Sequence, residues 1–149
     1  MEVKEVLDNY NNYIARIAIL KKQIYELEER RYSLQSANLD GMPKPKGYTT
    51  SRLEEKVVNI QDKIDKKNND IKELEINLNV VRTLIKTLRR YNQELIEWKY
   101  IDKMSIEEIA NRKDRTYDSI RKTINISIEK MQKEYNKITQ KKEFPKNSR

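Results

Sequence analysis

Apolar residues repeat at alternating intervals of four and three between Leu53 and Leu88. The series is Leu53, Val57, Ile60, Ile64, Lys67, Ile71, Leu74, Leu78, Val81, Ile85 and Leu88. Only Lys67 among these positions is not apolar. A period of 3.5 residues keeps one stripe of a helix against a partner helix and is typical of a left-handed coiled coil. The pattern therefore predicts a coiled-coil helix over this segment.

A less regular form of the same pattern precedes it. The apolar positions there are Val3, Leu7, Tyr10, Ile14, Ile17, Leu20, Ile24, Leu27 and Leu34. Residues 39–51 separate the two patterns and contain both glycines and two of the three prolines, so they predict a loop. We expect residues 1–91 to fold back as a long antiparallel coiled-coil hairpin. Pairing between two chains would bury the same stripes, and the pattern leaves this alternative open.

A different pattern occupies residues 92–140. The segment Ser105-Ile-Glu-Glu108 has the sequence of a capping box. In that motif the serine hydroxyl accepts from the Glu108 amide, and the Glu108 carboxylate accepts from the Ser105 amide. It predicts a short helix from Ile106 to about Arg112. Residues 113–116 then predict a turn.

A second helix is predicted to follow, with Thr116 as its cap. Its apolar stripe at intervals of four and three, which we expect to be buried, is Ile120, Ile124, Ile128, Met131, Tyr135 and Ile138. Two helices joined by so short a turn are typical of a helix-turn-helix. The predicted fold is thus all-α, with a coiled-coil hairpin (1–91), a C-terminal helix-turn-helix domain (92–140) and a basic flexible tail (141–149).

Polar side chains occupy the opposite face of the predicted second helix. In a helix-turn-helix the first turns of this helix enter the major groove, where Arg pairs with guanine, Asn pairs with adenine and Lys neutralises phosphate. The residues that we expect to bind DNA are Arg115, Thr116, Tyr117, Asp118, Arg121, Lys122 and Asn125. A solvated helix face has a similar composition, so this pattern alone does not separate the two interpretations.

Charge favours a polyanionic partner. The net charge is +8, and residues 111–149 carry twelve Lys and Arg against five Asp and Glu, a net of +7. Such an excess on one segment is typical of a surface that faces nucleic acid. A solvated lysine-rich helix would carry the same excess.

Composition excludes several other classes of function. Apolar residues make up 36% of the chain and charged residues 38%, which is too polar for a thick globular core. There is no cysteine and no histidine, and the carboxylates are scattered along helical faces. We therefore expect no catalytic residues, no metal ligands, no cofactor and no small-molecule substrate. No segment approaches the roughly 20 apolar residues of a membrane span, and the expected location is the cytoplasm.

Residues 98–112 (WKYIDKMSIEEIANR) and 116–122 (TYDSIRK) resemble the region-four helix-turn-helix of bacterial sigma factors. Their placement after a helical hairpin with a Gly-Met-Pro loop is similar to phage and prophage late-gene transcriptional regulators of the ArpU and RinA type. The resemblance implies that the second helix reads promoter DNA. The positions that it implies are Thr116, Tyr117, Asp118, Arg121, Lys122 and Asn125.

Two residues depart from the pattern of that family. Asp114 stands where glycine is usual, and Lys113 stands where leucine is usual. Aspartate tolerates a left-handed backbone better than most residues, so we expect the turn to form. We expect Lys113 to weaken the local core.

Three functions remain open from the sequence. The first is a transcriptional regulator that binds double-stranded DNA, in which the hairpin serves dimerisation or contacts a protein such as RNA polymerase. The second is a phage DNA-packaging adaptor similar to a small terminase subunit, for which a ring of about eight or more subunits would be expected. The third is a structural or inhibitory coiled-coil protein.

Overall fold

The structure, a computed structural model, describes residues 1–39 and 50–143. Every regular element in these ranges is helical, so the fold class is all-α, as predicted. The helices are α1 (Val3–Asp8), α2 (Tyr10–Leu39), α3 (Thr50–Lys86), α4 (Arg90–Ile96), α5 (Ile106–Lys113) and α6 (Tyr117–Glu143). A π-helical turn, Glu97–Ile101, follows α4 directly. None of these helices combines the length and the apolar character that crossing a bilayer requires.

The helices extend past two of the predicted boundaries. The predicted loop 39–51 is too long at both ends, because Leu39 closes α2 and Thr50 opens α3. Its residues 40–49 lie outside the described ranges. The predicted tail 141–149 also starts too early, since α6 continues to Glu143. Lysine and glutamate are good helix formers and sustain that last turn, and residues 144–149 lie outside the described ranges.

Residues 14–75 form one compact unit, here called the two-helix unit, from parts of α2 and α3. Its buried apolar side chains are Ile17, Leu20, Ile24, Leu27, Leu53, Ile60, Ile64 and Ile71. Across the pair, Lys67 Nζ donates to Gln23 Oε1 at 3.0 Å, and the Arg31 guanidinium donates to the Gln61 side chain. Later residues of α2 thus contact earlier residues of α3, so the two helices run in opposite directions.

One position of the predicted stripe is wrong in α2. Ile14 is 40% exposed. The helix is interrupted at Asn9, between α1 and α2. The buried positions that follow are Tyr10, Ile17 and Leu20. Tyr13, one residue earlier than Ile14, is the partly buried residue between Tyr10 and Ile17. The break was not visible in the periodicity because apolar residues continue on both sides of it.

Residues 1–13 and 76–149 form the other compact unit, here called the multi-helix unit, which is described to Glu143. Its core consists of Val3, Val6, Leu7, Val81, Leu84, Ile85, Leu88, Leu95, Ile96, Tyr100, Ile109, Ala110, Ile120, Ile124, Ile128 and Met131. Helix α6 packs against α1, α4 and α5. The N–H of Val3 donates to Gln132 Oε1 at 2.8 Å. Parts of the predicted hairpin, α1 and the end of α3, therefore share a core with α4 to α6.

Helix α3 ends at Lys86, two residues before the last position of the predicted coiled-coil series, yet Leu88 stays buried. The N–H of Leu88 donates to the Ile85 carbonyl three residues back, at 3.0 Å. The Gln93 side-chain amide then donates to the Leu88 carbonyl at 2.8 Å and to the Lys86 carbonyl at 3.4 Å. These bonds satisfy carbonyls that a helix end leaves free, which stabilises the sharp exit from α3.

Candidate nucleic-acid interface

The start of α5 depends on Ser105. The Glu108 N–H donates to Ser105 Oγ at 3.1 Å, as the capping box predicts. The second half of the box differs, since the Glu108 carboxylate accepts from the Ser105 hydroxyl, at 3.2 Å. Ile109 and Ala110 of this helix are buried, whereas Ile106 is partly buried against the same core. The cap and the apolar side chains together orient α5.

The turn after α5 contains Asp114 in the left-handed region, with φ 55° and ψ 47°. The Arg115 N–H donates to the Ala110 carbonyl at 2.9 Å, and the Asp114 N–H donates to the Asn111 carbonyl at 3.3 Å. This pair of bonds is the Schellman arrangement, which usually has glycine at the left-handed position. The expectation that aspartate would adopt this backbone is confirmed.

Helix α6 begins at Tyr117, with three residues between it and the end of α5. Thr116 Oγ1 accepts from the Ser119 N–H at 3.1 Å, which confirms Thr116 as the cap. Ile120 and Met131 are fully buried, and Ile124 and Ile128 are nearly so. Ile138 was predicted to continue this buried stripe and does not. Its side chain is 54% exposed, and it lines a groove with Val80 and Leu84.

All seven predicted DNA-contacting side chains are exposed: Arg115, Thr116, Tyr117, Asp118, Arg121, Lys122 and Asn125. Tyr117 is 47% exposed. Arg121 Nε lies 3.8 Å from Asp118 Oδ1, an exposed pair of the kind that contributes little to stability. Its guanidinium therefore stays available to another acceptor. Within the first turns of α6, Asp118, Lys122 and Asn125 face solvent on the side away from Ile120, Ile124 and Ile128.

Sequence reasoning missed the surroundings of Lys113. Its ammonium pairs with the Glu94 carboxylate, and its Nζ lies 4.7 Å from the Trp98 ring centroid and 5.1 Å from that of Tyr91. The Arg112 guanidinium lies 5.8 Å from the same Trp98 ring. Cation–π contacts contribute about 0.5–1 kcal/mol each at exposed sites. The lysine thus contacts both an acid and two aromatic rings.

A second basic cluster was also missed. Lys130, Lys133 and Lys137 of α6 line a groove together with Arg89, which precedes α4. The intervals of three and four residues between the lysines were the available signal, since they place the side chains on one helix face. Arg89 could not be assigned to that face from the sequence, because no local pattern relates it to α6.

The acidic side chains of the described residues do not form a metal-binding cluster. No group of three or more Asp, Glu, His or Cys side chains converges within residues 1–39 and 50–143. The side chains exposed at the start of α6 offer ionic contacts and hydrogen bonds. Comparison with family models, with curated proteins and with solved structures finds no match to this chain.

Proposed function

We propose that this protein is a sequence-specific regulator of transcription that binds double-stranded DNA. In this proposal α5 and α6 act as a helix-turn-helix, and α6 is the recognition helix. Arg121 and Asn125 contact base edges, and Lys122 and Arg115 contact phosphates. Thr116 caps the helix and Tyr117 lies at its entrance to the groove.

The observation that carries the proposal is the arrangement of α6 itself. Ile120, Ile124 and Ile128 are buried, while Arg121, Lys122 and Asn125 are exposed about one to two turns from its start. The left-handed Asp114 and the Thr116 cap allow α6 to begin after only three connecting residues. A major groove about 12 Å wide accepts a helix presented in this way. The excess of basic residues after Asn111 favours the same partner.

The remainder of the proposal concerns α2 and α3. We propose that they form an antiparallel coiled-coil hairpin, because their buried positions recur at intervals of three, four and seven and their polar contacts pair later residues of α2 with earlier residues of α3. The hairpin would supply a surface for a second copy or for RNA polymerase. A dimer would bind two half-sites about 34 Å apart, or a multiple of this distance.

The test begins with selection of bound duplexes from a random pool by the wild-type protein. Affinity for the selected sequence is then measured at fixed salt for Arg121→Ala combined with Lys122→Ala. We expect Kd to rise at least about tenfold, since a bidentate Arg–guanine pair contributes about 1–3 kcal/mol. Arg52→Ala combined with Lys66→Ala removes the same charge from exposed positions of α3 and should leave Kd within about twofold.

A second variant should change the affinity for DNA in the opposite direction. Asp118→Asn removes a carboxylate beside Arg121 and should strengthen binding, because a negative charge near phosphate repels it. Selection that enriches no sequence, or equal affinity of all these variants, would contradict the proposal.

A further inference from the structure

The basic groove is the feature of the multi-helix unit that the recognition surface does not use. Arg89, Lys130, Lys133 and Lys137 line it, and Glu134 supplies the one carboxylate on its walls. The groove has a volume of about 420 Å³. All four basic side chains are exposed. Within the described residues, none of the four forms an ion pair with an acidic side chain.

This arrangement differs from an ordinary solvated lysine face. Arg89 and Lys130 are about forty residues apart in sequence, yet the fold brings them to one concave surface. Four like charges around a single groove repel one another and reduce the stability of the fold. A polyanion in the groove would relieve this repulsion and release counterions, which is the main source of affinity in phosphate recognition.

The position of the groove along α6 indicates which part of a duplex it would contact. Lys133 is twelve residues beyond Arg121, about 18 Å along the helix axis. That distance exceeds the width of the major groove, about 12 Å, so the two sites cannot contact the same base edges. Lys122 and Lys133 are eleven residues apart, about three helical turns, and lie nearly in line on one side of α6. The recognition surface and the groove therefore share one side of α6, with Ile126 and Glu129 between Lys122 and Lys133.

We infer that the groove formed by Arg89, Lys130, Lys133 and Lys137 binds the phosphodiester backbone of DNA outside the major-groove contact. This inference rests on the proposed DNA-binding function. Lysine ammonium groups neutralise phosphates without reading bases, so the groove adds affinity for every sequence alike. It thereby holds the protein on DNA while α6 supplies the discrimination.

The experiment replaces Arg89, Lys130, Lys133 and Lys137 together by Gln and measures Kd against salt concentration. The probe is a labelled duplex of about three helical turns with the selected sequence at its centre, and a scrambled duplex of equal length. Each phosphate contact adds about 0.9 to the slope of log K against log salt. We expect the slope to fall in magnitude by about two to three, with an equal loss of affinity for both duplexes.

The matched control replaces Arg52, Lys56, Lys66 and Lys72, which are exposed on α3, by Gln. This variant loses the same charge and should keep the wild-type slope. Circular dichroism must show equal helical content in the wild type, the groove variant and the control variant. We expect this because every substituted residue is exposed.

The outcomes separate the two proposals. An unchanged slope in the groove variant, with wild-type binding intact, overturns the groove site and leaves the proposed function standing. Equal slopes in the groove and control variants overturn it as well, because net charge alone would then explain the loss. A wild-type protein that binds neither duplex overturns both. A membrane surface would be the partner of the groove if two results occurred together. Vesicles of anionic phospholipid would retain the wild-type and control proteins but not the groove variant, and the salt slope of the groove variant for DNA would be unchanged.

Discussion

The two compact units bury their apolar side chains to different extents. In the two-helix unit every buried apolar side chain keeps between 3% and 8% of its surface exposed. In the multi-helix unit eight apolar side chains have none: Val3, Leu7, Val81, Leu95, Ile96, Ile109, Ile120 and Met131. Two helices cover a side chain from one direction, whereas three or more enclose it. Full burial in this protein therefore depends on segments that are distant in sequence.

Removal of a fully enclosed side chain tests this difference most directly. Ile120→Ala should lower the free energy of unfolding toward the upper part of the range of about 2–5 kcal/mol, because neighbouring helices cannot all collapse into the cavity. Ile64→Ala, at 3% exposure between α2 and α3, should fall toward the lower part. Urea denaturation followed by circular dichroism, and by fluorescence of the single Trp98, gives both values.

Ile126 provides the control on the same helix as Ile120. It is 51% exposed, so Ile126→Ala should change the free energy of unfolding by no more than about 0.5 kcal/mol. Equal losses for Ile120→Ala and Ile64→Ala would show that enclosure by additional helices adds nothing.

The polar position in the two-helix unit offers a gain in stability. Lys67 is half-buried in the apolar series of α3 and donates to Gln23. Lys67→Ile should raise the free energy of unfolding by about 1 kcal/mol through apolar burial. It should also broaden the distribution of oligomers in sedimentation, because a polar residue in such a series fixes register and oligomeric state at a cost in stability. Lys66→Ile, at an exposed neighbouring position, should produce no such gain in stability.

The Lys113–Glu94 contact is expected to have a smaller effect. A double-mutant cycle with Lys113→Met and Glu94→Gln should give a coupling energy of about 0.5–1 kcal/mol, since the Glu94 side chain is 41% exposed and solvent screens the pair. The coupling should shrink at high salt, whereas the contribution of the Trp98 contact should persist. A coupling energy near zero at low salt would show that the ion pair does not help to hold α5 in place.

The smallest effect concerns Tyr100 and appears at high pH. Burial raises the pKa of Tyr100 above its ordinary value of 10.0, and the nearby Lys4 opposes this in part. Above pH 10 the unfolded chain releases the phenolic proton while the folded chain retains it, so stability falls as pH rises toward the folded pKa. Tyr100→Phe should make this decline shallower between about pH 9 and pH 11. At about pH 8, where both states are protonated, the pH dependence of the two proteins should coincide.

The helices and their caps were predictable because their signals are local. The Ser105 and Thr116 caps, the left-handed Asp114 and the buried Ile120 and Ile124 depend on residues within a few positions of each other. The packing of α1 on α6 was not predictable. Its hydrogen bond joins Val3 and Gln132, and no periodicity links positions so distant in sequence.

The candidate site also has one part that local sequence patterns predict and one part that they do not. The exposed face at the start of α6 follows from helical spacing and was predicted in full. The contacts of Lys113 with Glu94, Tyr91 and Trp98 required the path of the chain between α4 and α5. The sequence alone predicts only a weaker local core at Lys113, because no local pattern shows which side chains surround it.

The π-helical turn at Glu97–Ile101 helps to set the path of the chain between α4 and α5. The Asp102 N–H donates to the carbonyl of Glu97, five residues back, where an α-helix would use four. The turn therefore accommodates one additional residue, equivalent to about 100° of rotation about the helix axis. Deletion of a single residue there would restore ordinary winding and rotate the aromatic side chains away from the ammonium group that they now surround.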